Sequence, residues 1–187
     1  HMNKDGTALI VMVDPYALSK WYSASTMIIT GAVYAHEYFH TIQLRSLTLQ
    51  SNPNITWPVM WFREGSATFA QNAVSNYQSF DDYLKFRDAD CGDCKAYKDV
   101  QKVTQFFGNP STGQDFQFSA SERYFQYNIG SRIIEILVAL KGPQSIMQMV
   151  DQISLGSNWD SAFKSIYGTD WQTAAPIIAQ TVASEFV

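Results

Sequence analysis

The feature that most constrains this chain is a pair of histidines four residues apart. Apart from His1, which with Met2 reads as an expression-tag remnant, the only histidines are His36 and His40, and they stand in His36-Glu37-Tyr38-Phe39-His40, the pattern HExxH. On an α-helix turning about 100° per residue, the two imidazoles fall about 40° apart in azimuth and about 6 Å apart along the axis. They can therefore share one metal ion. Zn²⁺ accepts imidazole nitrogen at about 2.0 to 2.1 Å, and catalytic zinc sites keep three protein ligands with a fourth position open. Glu37, beside the pair, is placed to act as a general base toward water. Residues 30–47 put Ala35, Phe39, Ile42 and Leu47 near helical spacing with no proline, which predicts one amphipathic helix under the motif. The bland alternative, two ordinary imidazoles and an exposed Glu, leaves unexplained why both fall in this one pattern.

Two imidazoles are too few for such a site, and no third native histidine exists, so a carboxylate is needed downstream. Trp61-Phe62-Arg63-Glu64-Gly65-Ser66-Ala67 offers one. Ser51-Asn52-Pro53-Asn54 and Pro58 break the chain, and the pattern then predicts a second helix from about 61 to 76, with Glu64 in its first turn. The small residues Gly65, Ser66 and Ala67 are expected to let this helix approach the HExxH helix closely. An acidic residue favoured by the helix dipole is the competing explanation of Glu64.

HExxH followed by WxxEGxA resembles the gluzincin metallopeptidases, the group that includes thermolysin and aminopeptidase N. The resemblance implies a zincin-like catalytic domain in which Glu64 is the third zinc ligand and Glu37 the general base. Between His40 and Glu64 stand 23 residues, a longer gap than in the best-known members, so the connecting segment is expected to be an excursion that could border a cleft. Tyr127-Asn128-Ile129-Gly130 resembles the aminopeptidase-like helix whose Tyr, three residues before a Gly, hydrogen-bonds the oxyanion. That role would fall on Tyr127, with Tyr124 as its rival, and an ordinary core tyrosine as the alternative to both. The segment from Leu140 to Trp171 resembles the carboxy-terminal helices of peptidase MA-like domains in pattern only. Two departures matter. Residues 3–35 contain nothing like the amine-binding GxMEN segment, which favours endopeptidase over exopeptidase action. Thr68 stands where thermolysin-type enzymes place an Asp that orients a histidine, so the support of the ligands must be built otherwise.

With 187 residues, the chain can bury a sizeable core as one domain, here residues 3–187 after the tag remnant. Hydrophobic residues make up 46% and charged residues 16%, against the roughly 25% charged of typical soluble domains, which excludes a disordered chain. The formal charge is −4 and the thirteen Lys and Arg are scattered, so nucleic acid is not an expected partner. The most apolar run, Ile133 to Leu140, is interrupted by Glu135, and no membrane span is expected. Thr7–Val13 reads as a buried strand ended by Asp14-Pro15, and helical patterns recur near 80–89, 93–107, 121–141, 143–154, 158–167 and 170–185. The fold class is thus α+β and predominantly helical, with a small or truncated N-terminal sheet.

Other signals carry less. Cys91 and Cys94 lack the second pair that a zinc ribbon needs; a local disulfide, consistent with an extracytoplasmic or secreted protein, is preferred to free thiols. Asp88, Asp90 and Asp93 miss EF-hand spacing and read as a solvated helix end rather than a Ca²⁺ site. Asn54-Ile55-Thr56 is a glycosylation sequon to which no weight is given. Among Trp21, Tyr22, Trp57, Trp61 and Phe62, core packing is preferred to the lining of a cleft. The expected chemistry is peptide-bond hydrolysis of a peptide or protein substrate with Zn²⁺ held by His36, His40 and Glu64. A metal-stapled binding module that does not turn over, and a metal-dependent hydrolase of another substrate, are the alternatives; the presence of Glu37 argues against the first.

Overall fold

A computed structural model describes residues 31–48, 58–90, 100, 101, 103 and 125–186. Among them the chain is predominantly helical and contains no strand. The expected strand at Thr7–Val13, the Cys91–Cys94 pair, Tyr124 and the excursion through Pro53 lie outside the described residues. Of the helix expected near 93–107, only Val100, Gln101 and Val103 are described, and all three are helical.

Besides the helical positions 100, 101 and 103, seven α-helices follow in order among the described residues: α1 Ala32–Thr48, α2 Met60–Ser75, α3 Phe80–Asp90, α4 Gly130–Lys141, α5 Gln144–Ser154, α6 Trp159–Tyr167 and α7 Trp171–Ser184. A π-helical turn at Phe125–Ile129 runs directly into α4. Local chemistry sets the limits of these helices. The Gly31 carbonyl accepts the first bonds of α1, from the amides of Tyr34 and Ala35. In α2 the Val59 carbonyl takes the amides of Phe62 and Arg63, so the helix begins right after Pro58. Glu64 is therefore the fifth helical residue, just beyond the first turn in which the sequence pattern placed it. Asn158 caps α6 by accepting from the Ser161 amide at 2.8 Å, and Gly168, in the left-handed region at φ 80°, ends it.

The centre of the molecule is aromatic. Trp61 stacks on Trp171 with ring centroids 5.3 Å apart, and Trp159 meets Trp171 edge to face at 5.6 Å. Phe62 and Phe163 complete the cluster against Trp159. Trp61, Phe62 and Trp171 are fully buried, as the core assignment of Trp61 and Phe62 anticipated. Each such side chain contributes about 1.5–3 kcal/mol by burial, and favourable ring geometry adds about 0.5–1.5 kcal/mol per pair. Because Trp61 and Phe62 immediately precede Arg63 and Glu64, this cluster anchors the start of α2 and with it the Glu64 carboxylate.

Helix α2 is sandwiched between α1 on one side and α4 with its π-helical turn on the other. The expectation that Gly65 serves the approach to the HExxH helix is corrected here. A Cβ on Gly65 would lie 2.5 Å from the carbonyl carbon of Gly130, so the glycine permits contact with α4 instead. The cause is rotational: residues 64 and 65 are separated by about 100° around the helix, so when Glu64 faces α1 its neighbour faces elsewhere. The neighbouring Ser66 does face α1, through Gln43. Around the far side, Arg132 joins α4 to Asp88 of α3 at 2.8 Å and to Glu185 beyond α7.

Candidate metal centre

The α1–α2 contact brings three donor atoms together from two helices. His36 Nε2 and His40 Nε2 lie 3.1 Å apart, His40 Nε2 lies 3.2 Å from Glu64 Oε2, and His36 Nε2 lies 3.4 Å from the same oxygen. A tetrahedral ion with ligands at about 2.0 to 2.1 Å has ligand-to-ligand edges of about 3.3 Å. The three donors thus stand as one face of such a tetrahedron, with the fourth vertex left to something other than these side chains. Two imidazole nitrogens and a carboxylate oxygen are also a donor set that a divalent transition ion accepts. His36, His40 and Glu64 could hold a metal ion, and they form the one such group among the described residues.

Burial gives the triad its electrostatics. His36 is 8% exposed and Glu64 7%. Desolvation opposes the ionisation of Glu64, but hydrogen bonds from His36 and His40 outweigh it and lower the carboxyl to about 2. Desolvation likewise opposes a charge on His40, yet the hydrogen bond and charge of Glu64, the bond to Gln43 and the charge of Glu37 together raise its pKa above the ordinary value. The Glu64 carboxylate is split between two neighbours. Oε2 faces the histidines, while Oε1 lies 3.7 Å from Nε of Arg63.

The residues around the triad fall into place as follows. Glu37 is exposed on the solvent side of α1, close enough for its charge to act on His40. Tyr127, on the π-helical turn, stacks its ring on His36 with centroids 5.9 Å apart and planes inclined by 24°. Its side chain is therefore at the centre rather than in the distant core. Thr68 is buried, and its hydroxyl makes no hydrogen bond among the described residues, so it supports neither histidine. That support comes from Gln43, which sequence reasoning missed: its Oε1 lies 2.8 Å from His40 Nδ1, within hydrogen-bond distance. A polar residue three positions after His40 on the same helical face was the available signal, and it is a weak one because such residues are common on amphipathic helices.

Compared with known proteins, the chain matches no family model, no curated protein and no solved structure. The functional reading therefore rests on the residues and their geometry.

Proposed function

We propose that this chain is a zinc-dependent peptidase of gluzincin type, acting as an endopeptidase on peptide or protein substrates. The helices described above would form the helical part of a zincin-like catalytic domain. The observation that carries this proposal is the convergence of His36 Nε2, His40 Nε2 and Glu64 Oε2 within 3.1–3.4 Å of one another. His36, His40 and Glu64 would hold the ion. A divalent ion in that position supplies Lewis-acid polarisation of a substrate carbonyl and a lowered pKa for water.

The remaining chemistry belongs to the protein. The Glu37 carboxylate takes a proton from the attacking water and delivers it to the nitrogen of the departing amine, so that one group serves as base and then as acid. Its exposure on the solvent side of α1 gives both water and substrate access to it. Tyr127, held against His36, donates its phenolic proton in a hydrogen bond to the negative charge that develops on the carbonyl oxygen. His36 and Glu64 are buried and His40 is partly so, and the three donor atoms already converge, so they need little reorganisation when the ion enters.

Glu37→Gln tests the proposal. The variant is expected to bind one Zn²⁺ as tightly as the parent while losing hydrolysis of a mixed peptide library, and the parent's cleavage should stop when a chelator is added. Undiminished cleavage by Glu37→Gln would remove Glu37 as the base. A parent that binds zinc but leaves every peptide intact would rule out peptidase action.

A further inference from the structure

We infer that Gln43 is the positioning residue of this centre: it fixes the His40 ring so that Nδ1 carries the proton and Nε2 presents its lone pair to the ion. The inference rests on the metal reading of the triad and specifies how the apoprotein is prepared for it.

The direction of every hydrogen bond around Gln43 follows from one fixed acceptor. The Arg63 carbonyl can only accept, and the atom of Gln43 that faces it at 3.1 Å must therefore be the amide nitrogen. The same nitrogen lies 2.7 Å from Ser66 Oγ, whose own proton goes to the Phe62 carbonyl at 2.7 Å, leaving the hydroxyl oxygen to accept from Gln43. With both amide protons assigned, the remaining atom, Oε1, is an acceptor, and it lies 2.8 Å from His40 Nδ1. Rotating the amide by half a turn would set its oxygen against the Arg63 carbonyl, where two acceptors would face each other with no proton between them. Nδ1 thus holds a proton, and Nε2 is the ring atom left to bind the ion.

The relay also joins the two ligand-bearing helices. Gln43 is 2% exposed and Ser66 1%, so water cannot replace these bonds. One side chain of α1 orients an imidazole of α1 and grips α2 on either side of Glu64, at Arg63 and Ser66. This is the outer support that Thr68 does not give, since its hydroxyl has no hydrogen-bond partner among the described residues.

The experiment measures Zn²⁺ affinity by chelator competition for the parent and Gln43→Met, together with ¹⁵N spectra of the histidine rings in the zinc-loaded parent. Loss of an outer partner to a ligating histidine typically weakens binding roughly 10- to 100-fold, and Gln43→Met should show a loss in that range. In the parent spectrum His40 should carry its proton on Nδ1 and coordinate through Nε2. Unchanged affinity in a folded Gln43→Met, or coordination of the parent through Nδ1, overturns the role of Gln43 while leaving the metal centre intact. Should Gln43→Met fail to fold, the ring spectrum of the parent decides alone. A parent that takes up no zinc overturns the metal reading and this inference with it.

Discussion

Glu64 is one carboxylate asked to do two things: fill the gap between two imidazoles without an ion, and ligate the ion when it arrives. Its pKa of about 2 lies below the ordinary 4.5, so in the metal-free protein its stabilising effect is present above pH 4.5 and is lost as pH falls through about 2. His40 has the opposite sign. With its pKa raised above the ordinary 6.5, its contribution is complete below pH 6.5 and fades as pH rises through the folded value. The triad of the metal-free protein therefore stabilises most between pH 4.5 and 6.5. Thermal melts of parent and Glu64→Gln across pH should show their largest gap in that window; an equal gap from pH 3 to pH 9, taken as roughly the practical range, would contradict the ion-pair origin. Zinc runs the other way, because protons on the imidazoles compete with it, so affinity should fall on acidification. Glu64→Gln is also expected to weaken zinc binding by about a hundredfold or more, since it removes a ligand rather than the partner of one.

At the level of helices, the crossing of α2 and α4 is the most sensitive place. Gly65→Ala would push a methyl to 2.5 Å from the Gly130 backbone, which no side-chain rotation can relieve. Overpacking of this kind costs about 1–3 kcal/mol, and the displaced partner here is the turn that carries Tyr127. The variant should therefore melt lower and, in the peptidase assay, lose rate while still binding zinc. Tyr127→Phe isolates the chemical part of that loss. Removing one oxyanion donor costs about 2.7–4 kcal/mol of transition-state stabilisation, so kcat should drop roughly 10²- to 10³-fold with zinc affinity and melting temperature close to the parent. A Tyr127→Phe variant with full activity would return that ring to a packing role against His36.

The helices also show where the residues spoke and where they were silent. The periodicity of Ala35, Phe39 and Ile42 and the breaks at Pro58, Gly142 and Gly168 placed helix ends within about two residues, because proline and glycine act through the local backbone. The pairing of His36 with His40 was legible for a similar reason, since ligand spacing on a helix is local geometry, whereas Glu64 on the second helix was named through the likeness of WxxEGxA to the gluzincin pattern. What Gly65 touches was not, because a neighbour across a helix crossing depends on the rotation of both helices. Nor was the π-helical turn at Phe125–Ile129, whose single-residue insertion leaves no mark in hydrophobic spacing. Gln43 escaped notice because its importance comes from the Arg63 carbonyl, 20 residues away in sequence.

For the molecule as a whole, no single helix among the described residues is long and apolar enough to cross a membrane. The aromatic cluster of Trp61, Trp159 and Trp171 packs the start of α2 against α6 and α7, and Trp171→Ala should destabilise by about 3–5 kcal/mol, read from the shift of the denaturation midpoint. Because that cluster sits next to Glu64 along α2, the same variant should bind zinc more weakly despite touching no ligand. Binding should in turn stabilise the fold: at a free zinc concentration a hundred times its dissociation constant, the gain is about 2.7 kcal/mol. One measurement decides most. Metal analysis of the purified chain after zinc loading, joined to X-ray absorption at the metal edge, should find one zinc per chain bound by two imidazole nitrogens and a carboxylate oxygen, with a light-atom ligand at the open vertex. A chain that holds no stoichiometric metal, prefers iron, or keeps its zinc when His36 and Glu64 are both changed to alanine would contradict the centre proposed here.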